Sequence, residues 1–68
     1  MTRQLIITEH AKKLQYGAFK GYYVGYLKMN YYTGDSKEVS TLFPMNPVYR
    51  LTRFDALLDA KQQHRDLP

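Results

Sequence analysis

Tyrosine is the residue type whose number and spacing carry the most chemical information in this 68-residue chain. The chain contains seven tyrosines, and five of them lie between positions 22 and 32. A tyrosine ring offers a flat contact area with a polar tip, so a cluster of such rings can stack nucleobases or anchor a protein partner. Tyrosine is also common in half-buried strands that bind nothing. The sequence leaves these three interpretations open.

Basic residues are the second group that can carry a binding function. Ten Lys and Arg residues against six Asp and Glu residues give a formal net charge of +4 and a pI of about 9.5. This balance argues against a DNA-mimic role, which requires an acidic surface, and favours an anionic partner where the cations share one surface. Charges spread along a chain can also simply keep a protein soluble. The predicted contact residues are Tyr22, Tyr26, Lys28 and Tyr32 on a strand, Lys12, Lys13 and Lys20 around the first connection, and Arg50 and Arg53 at the start of a helix.

Residues that perform catalysis are few and poorly placed for it. Ser36 and Ser40 are the only serines, neither lies in a nucleophile-elbow sequence, and the chain has no cysteine. The four glycines are too widely spaced for a phosphate-binding loop. Asp55 and Asp59 are four residues apart, and we expect them on a solvated helix face rather than in a catalytic cleft. We therefore predict no enzymatic activity and no small-molecule substrate.

Metal, cofactor and membrane binding are also not predicted. Without cysteine there are no disulfides and no thiolate ligands for zinc or iron–sulfur clusters. His10 and His64 have no metal-ligand spacing, and we expect both at the surface. The longest apolar runs, such as Leu5 to Ile7, are far too short to cross a bilayer, and the N-terminal residues lack the apolar stretch of a signal peptide. We expect a cytoplasmic protein without a membrane partner.

The order of hydrophobic and turn residues predicts a single α+β domain over residues 1–68. Strands are predicted at 4–8, 22–32 and 37–43, with a turn at 33–36, and residues 10–15 fit either a strand or one helical turn. Thr52 is a favourable N-cap for a C-terminal helix, with Asp55 in its first turn. We expect a three-stranded antiparallel sheet, with residues 48–51 as a possible fourth strand, and the helix packed on one face. The sequence does not place the first strand at the edge or in the middle.

Alternation along the second strand predicts which side chains are buried. The odd positions from Tyr23 to Tyr31 are the more apolar and are assigned to the core, and the even positions are assigned to solvent. A tight two-residue turn would set Leu27 opposite Leu42. A longer loop sets Leu27 opposite Phe43, and we prefer it because it adds Val39 and Phe43 to the core. The helix is expected to face the sheet with Phe54, Leu57, Leu58, Ala60 and the stem of Lys61, and to expose Asp55, Asp59, Gln62 and Gln63.

Several short motifs resemble one known fold. The tripeptide Gly21-Tyr22-Tyr23, the turn at 33–37, and Thr52 with Ala56 at the start of the helix resemble the arm-binding domains at the N-terminus of phage-type integrases. The resemblance covers about the second half of the chain, and the loop between Pro44 and Pro47 departs from it. It implies three strands followed by a helix, a shape frequent among phage and plasmid accessory proteins, and it implies no activity.

Three kinds of partner are compatible with a basic, tyrosine-rich sheet face. The first expectation is nucleic acid, or a nucleic-acid-handling protein within a nucleoprotein assembly. The alternative is a protein-directed adaptor or inhibitor whose tyrosines are hot spots. The third is a homodimer, because a domain of this length buries only about 60% of its unfolded surface and gains stability from a second copy.

Overall fold

Three antiparallel strands are followed by one helix in the computed structural model. It describes the backbone of residues 3–68 and the side chains of residues 4–68. The strands are β1 (Arg3–Lys13), β2 (Tyr23–Thr33) and β3 (Ser36–Leu42), and the helix is α1 (Arg53–Arg65). The sheet order is β1-β2-β3, so β2 is the central strand and β1 lies at an edge. The predicted α+β class, with one C-terminal helix on a small antiparallel sheet, is confirmed.

The first strand is longer than the sequence pattern indicated. β1 continues as far as Lys13 and pairs with β2 along its whole length, from Arg3 opposite Thr33 to Lys13 opposite Tyr23. The helical turn that was one alternative for residues 10–15 does not form. The predicted fourth strand is reduced to one bridge, in which Tyr23 and Arg50 exchange backbone hydrogen bonds of 2.7 and 2.9 Å.

The register between β2 and β3 differs from the preferred prediction. Gly34 has a φ of 57° and begins a two-residue turn between Thr33 and Ser36, which are directly paired. A positive φ at the first turn residue alone is the pattern of a type II′ hairpin turn, in which glycine is favoured. Leu27 therefore lies opposite Leu42, and the register that places it opposite Phe43 is wrong.

This shorter turn moves two predicted core residues to the other side of the sheet. Val39 lies opposite Asn30, an even position of β2, and is 50% exposed. Phe43 follows β3 and stacks on Tyr26, which is also an even position, and is 46% exposed. The assignment of Val39 and Phe43 to the core is wrong, because a shift of one residue in register exchanges the two faces of a strand.

The helix covers the odd-numbered face of β2, as predicted, but with a different set of side chains. Leu27 is fully buried on this face, and Ala56 and Ala60 are the fully buried residues of α1. Gly25 explains why alanines face the sheet, because a Cβ atom on this glycine would lie 2.0 Å from the carbonyl oxygen of Ala56. The helix backbone thus packs directly on the strand backbone. We call this side of the sheet the covered face.

The apolar stripe predicted for the helix is consequently only partly correct. Ala60 is buried and Leu57 is half-buried, but Phe54 is 69% exposed and Leu58 is 45% exposed. Close approach through two alanines leaves no room for large side chains at the centre of this interface. Lys61 is exposed, whereas Asp59 and Gln63, predicted to be exposed, are half-buried.

The start of the helix follows the sequence prediction. Thr52 is the N-cap, and its hydroxyl oxygen accepts a hydrogen bond from the backbone N–H of Asp55 at 3.2 Å. The same hydroxyl donates to the Asp55 carboxylate at 2.9 Å. These contacts satisfy one of the free N–H groups of the first turn and place an acid where the helix dipole favours it. Among the described residues, no helix has the length and hydropathy needed to cross a membrane.

Candidate functional site

The even-numbered side chains of β2 lie on the side of the sheet away from the helix, and we call this side the open face. The strand register assigns to it Lys12, His10, Thr8, Ile6 and Gln4 from β1, Val24, Tyr26, Lys28, Asn30 and Tyr32 from β2, and Thr41, Val39 and Lys37 from β3. The strand acids Glu9 and Glu38 occupy positions of the covered face. Over residues 4–43, the open face of the sheet therefore carries lysines and no carboxylate.

Three lysines form a diagonal across the open face. Lys12 lies opposite Val24, Lys28 is in β2, and Lys37 lies opposite Tyr32, so each step moves four residues along β2 and one strand across. With a rise of about 3.4 Å per residue and a strand spacing of about 4.8 Å, neighbouring Cα positions on this line are about 14 Å apart. An extended polyanion that follows the diagonal can meet all three cations.

A row of three rings crosses the sheet in the middle of this face. Tyr26 stacks on His10 on one side, at 5.5 Å between ring centroids, and on Phe43 on the other side, at 5.1 Å. His10 is held in place by a 2.7 Å hydrogen bond with the Thr8 hydroxyl. Because a ring stacks on it from each neighbouring strand side, half-buried Tyr26 has no free ring face.

The other two predicted tyrosines lie at opposite ends of β2. Tyr32 is half-buried beside Lys37, whose ammonium is 5.6 Å from the ring centroid. Tyr22 immediately precedes β2, and its ring meets Phe19 edge-to-face at 6.0 Å. The predicted set of three rings on one strand is thus dispersed, with Tyr26 and Tyr32 on the open face and Tyr22 in the connection before the strand.

Two even positions predicted to be exposed are in fact buried. Asn30 is 8% exposed, and its side-chain amide donates to the carbonyl oxygen of Ile6 at 3.1 Å and to the Thr8 hydroxyl at 3.3 Å. Val24 is 3% exposed, because the loop that follows β3 lies over it. Near Asn30 the open face therefore carries the exposed apolar side chains of Ile6 and Val39, which lie opposite this buried amide, and near Val24 it is enclosed.

A small apolar hollow lies over Val24 at the loop end of the open face. Its volume is about 240 Å³, and Lys12 is the only charged residue in its lining. The lining includes two rings that are stacked on neighbouring rings: Phe43 on Tyr26, and Tyr49 on Phe19, with a 3.8 Å centroid distance and an angle of 3° for the second pair. The remaining lining residues are Leu14, Val24, Pro44 and Pro47.

The connection between β1 and β2 supplies further exposed groups near this hollow. Gly17 and Gly21 have positive φ values of 87° and 91°, and Leu14 exchanges backbone hydrogen bonds with Tyr22 and Gly21 that close the loop. Tyr16 is 89% exposed, and Lys20 is also exposed. The loop thus carries another exposed ring and another exposed cation.

Three predicted cations lie elsewhere. Lys13 occupies a position of the covered face, opposite Tyr23. Arg50 binds Asp59 through two hydrogen bonds of 2.7 and 2.9 Å. This hydrogen bonding and the negative charge of Asp59 raise the pKa of Arg50 above its ordinary value.

Arg53 also has an intramolecular role. Its guanidinium donates to the carbonyl oxygen of Ala11 at 2.8 Å and lies 5.3 Å from the Tyr23 ring centroid. Both arginines hold the helix to the sheet, so neither joins the lysines of the open face.

The two histidines lie on opposite sides of the sheet. His10 belongs to the ring row of the open face, whereas the Nδ1 atom of His64 lies 2.9 Å from the Glu9 carboxylate on the covered face. Among the described residues, no group of three or more His, Cys, Asp or Glu side chains has an arrangement suited to a metal ion.

Sequence reasoning missed His10, Lys37, Phe43 and Tyr49 as members of this surface. The acid-free segment at positions 10–34 includes only His10 of these four residues, and its four lysines are all among the predicted contact residues. The ring row and the hollow left no signal in the sequence, because they depend on the strand register and on the loop over Val24. No family model, curated protein or solved structure shows significant similarity to this chain.

Proposed function

We propose that this protein is a non-catalytic binding module that holds nucleic acid on the open face of its sheet, alone or within a nucleoprotein assembly. The observation that carries the proposal is the separation of charge across the sheet. Lys12, Lys28 and Lys37 share the open face, while the acids Glu9 and Glu38 lie on the other. A phosphate backbone is attracted to such a face without meeting a repelling carboxylate.

The ring groups support nucleic acid over a purely ionic partner. Tyr32 and the rings around the hollow lie between and beside the lysines, so bases can make contact where phosphates are neutralised. The Tyr26 hydroxyl adds a hydrogen-bonding group at the centre of the face. A cytoplasmic location and the absence of catalysis are parts of this proposal.

The proposal is tested by the salt dependence of binding to a fluorescently labelled single-stranded oligonucleotide. Three phosphate contacts predict a slope of log K against log salt concentration of about −2, since each contact contributes about −0.7 for single strands. Replacing one lysine, Lys28→Gln, is expected to weaken binding and to reduce the slope by about 0.7.

The matched control is Lys61→Gln, because Lys61 is an exposed lysine on the helix, which covers the opposite side of the sheet. This variant is expected to bind as the wild type does, with nearly the same slope. Equal losses for Lys28→Gln and Lys61→Gln would mean that net charge alone drives binding, and a slope near zero would contradict the proposal.

A protein partner is the second candidate, and one observation favours it. Leu51, Phe54 and Leu58 form an exposed apolar stripe at the start of the helix, with exposures of 74%, 69% and 45%. Such a stripe is typical of surfaces that dock on proteins. Under this alternative, Phe54→Ala abolishes capture of the partner, whereas Lys28→Gln leaves it unchanged.

Self-association remains the third proposal. β3 is an edge strand whose side chains are exposed along nearly its whole length, so its outer edge is free to pair with a second copy. Light scattering over a concentration series separates a monomer from a dimer, and it also sets the stoichiometry for the oligonucleotide titration.

A further inference from the structure

We propose that the hollow over Val24 receives one unstacked nucleobase of a bound single strand. This proposal rests on the proposed function and adds to it a specific site and a type of contact. The hollow lies on the open face, at the end of the lysine diagonal that Lys12 begins. A strand that follows the lysines therefore reaches the hollow with its backbone already neutralised.

The shape and lining of the hollow suit a flat aromatic ligand. Its volume is about 240 Å³, it is floored by buried Val24, and aromatic rings and prolines form its walls. Flat apolar groups of this kind bind bases by stacking, and they do so for every base because every base has a π-face.

The two aromatic walls are held in position before any ligand arrives. Phe43 is stacked against Tyr26 at 5.1 Å, and Tyr49 is stacked against Phe19 at 3.8 Å. Each of these two rings thus has a neighbouring ring stacked on it, which limits its movement. A preorganised wall loses little conformational freedom when a base binds, so more of the stacking energy appears as affinity.

Lys12 connects the hollow to the phosphate backbone. Its ammonium lies over the Phe43 ring, 4.8 Å from the centroid, at the one charged position of the lining, so a base stacks on Phe43 when this ammonium moves to a phosphate. A phosphate adjacent to the inserted base can take this ammonium as its partner. The same base–phosphate unit is then fixed at two points, by stacking and by charge.

A single strand fits this arrangement better than a duplex. Bases in a duplex are stacked and paired, and removing one from the stack costs free energy before any contact is gained. Bases of a single strand can turn outward freely and stack on aromatic side chains. The hollow accordingly predicts a preference for single-stranded over double-stranded oligonucleotides of the same length.

The test compares two probes of equal charge, a twelve-residue thymidine strand and a twelve-residue abasic strand. Phe43→Ala is expected to weaken binding of the thymidine strand by about five- to a hundredfold, the range for loss of one stacked base. It is expected to leave binding of the abasic strand, and the salt slope on both strands, unchanged.

Phe54→Ala is the matched control, because Phe54 is a more exposed phenylalanine on the helix. It is expected to bind both probes as the wild type does. Phe43→Leu keeps an apolar side chain but removes the flat ring, so it is expected to lose binding of the thymidine strand in the same way. Circular dichroism spectra of all variants test whether the fold is retained.

The outcomes separate this inference from the proposed function. If Phe43→Ala and Phe43→Leu bind the thymidine strand with wild-type affinity and a steep salt slope, the hollow is not a base site. The proposed binding of nucleic acid by the lysines of the open face is then retained. Equal affinity of the wild type for thymidine and abasic strands also overturns the inference. If the wild type binds neither strand, both proposals fail, and the hollow is left to a side chain of a protein partner.

Discussion

Replacing Gly25 by alanine is expected to destabilise the protein more than the same substitution at Gly17 or Gly21. The new Cβ atom would lie 2.0 Å from the carbonyl oxygen of Ala56 and 2.9 Å from the backbone nitrogen of Ala60. Ordinary contacts begin at 3.4 Å, so the helix has to withdraw by about 1.4 Å. Because the obstructing atoms belong to the backbone, no side-chain rotation relieves the contact.

The cost of this withdrawal is estimated from the packing that it disrupts. Overpacking in a core typically costs about 1–3 kcal/mol, and a clash of the new Cβ atom with the helix backbone is expected near the upper end. Alanine also lowers the conformational entropy of the unfolded chain, which stabilises the folded state by about 0.4–1 kcal/mol. The net loss of unfolding free energy is about 2–2.6 kcal/mol, which in a domain of this size lowers the melting temperature by about 8–20 °C.

Thermal unfolding followed by far-ultraviolet circular dichroism measures this effect. Gly17→Ala is the control, since a Cβ there meets nothing within 4 Å and the penalty comes only from its positive φ of 87°. That penalty is about 1–2 kcal/mol and is offset by the same entropy gain of about 0.4–1 kcal/mol, so the variant melts above Gly25→Ala and at or below the wild type. A Gly25→Ala protein that melts at or above the wild-type temperature would refute the close approach of helix and strand.

Three smaller predictions concern single polar contacts. Thr52→Ala is expected to lower the unfolding free energy by about 1 kcal/mol in urea titrations, because the N–H of Asp55 loses its acceptor, and Thr52→Ser is expected to restore it. Asn30→Asp is expected to be more destabilising than Asn46→Asp, because only Asn30 is a buried donor and a carboxylate cannot donate; equal losses would contradict this. Arg50→Gln is expected to lower the melting temperature at low salt and to approach the wild type in about 1 M NaCl, since its ion pair is exposed to screening; a salt-independent difference would contradict this.

Local patterns in the sequence were sufficient to predict the fold class. Alternation in β2 predicted a strand and identified its apolar face correctly, since Leu27 is fully buried there. Thr52 and Asp55 predicted the start of the helix, where they now form hydrogen bonds. Both features depend on residues close in sequence, so short-range rules are adequate for them.

The register of the hairpin could not be obtained by counting apolar pairs. Pairing Val39 and Phe43 with the apolar side of β2 looked favourable, yet glycine at position 34 permits the tighter turn and moves both to the open face. The turn also gives Phe43 a partner of its own, Tyr26. Turn geometry therefore decided the register, and aromatic stacking compensated for the exposed position.

The helix interface illustrates a second limit of periodicity. Phe54 and Leu58 fit an amphipathic stripe, but the helix faces the sheet with Ala56 and Ala60. This choice depends on Gly25, which is about thirty residues away in sequence and leaves a flat strand surface for close approach. The periodicity of a helix sequence does not show the shape of the surface against which the helix packs.

The candidate site was found in part for related reasons. Tyr26, Lys28 and Tyr32 were predicted on one face because they alternate in a single strand. Lys37 joins them only through the hairpin register, and the hollow near Tyr49 exists only because the loop after β3 folds over Val24. Contacts between distant segments require the assembled fold.

The most direct measurement of the central claim is an amide chemical-shift titration of the ¹⁵N-labelled protein with a single-stranded oligonucleotide. Binding on the open face predicts that the largest changes occur near Lys12, Lys28 and Lys37. Amides around Phe54 and Lys61, on the helix, are expected to change little. Changes concentrated on the helix, or none at saturating oligonucleotide, would contradict the assignment of nucleic acid to the open face.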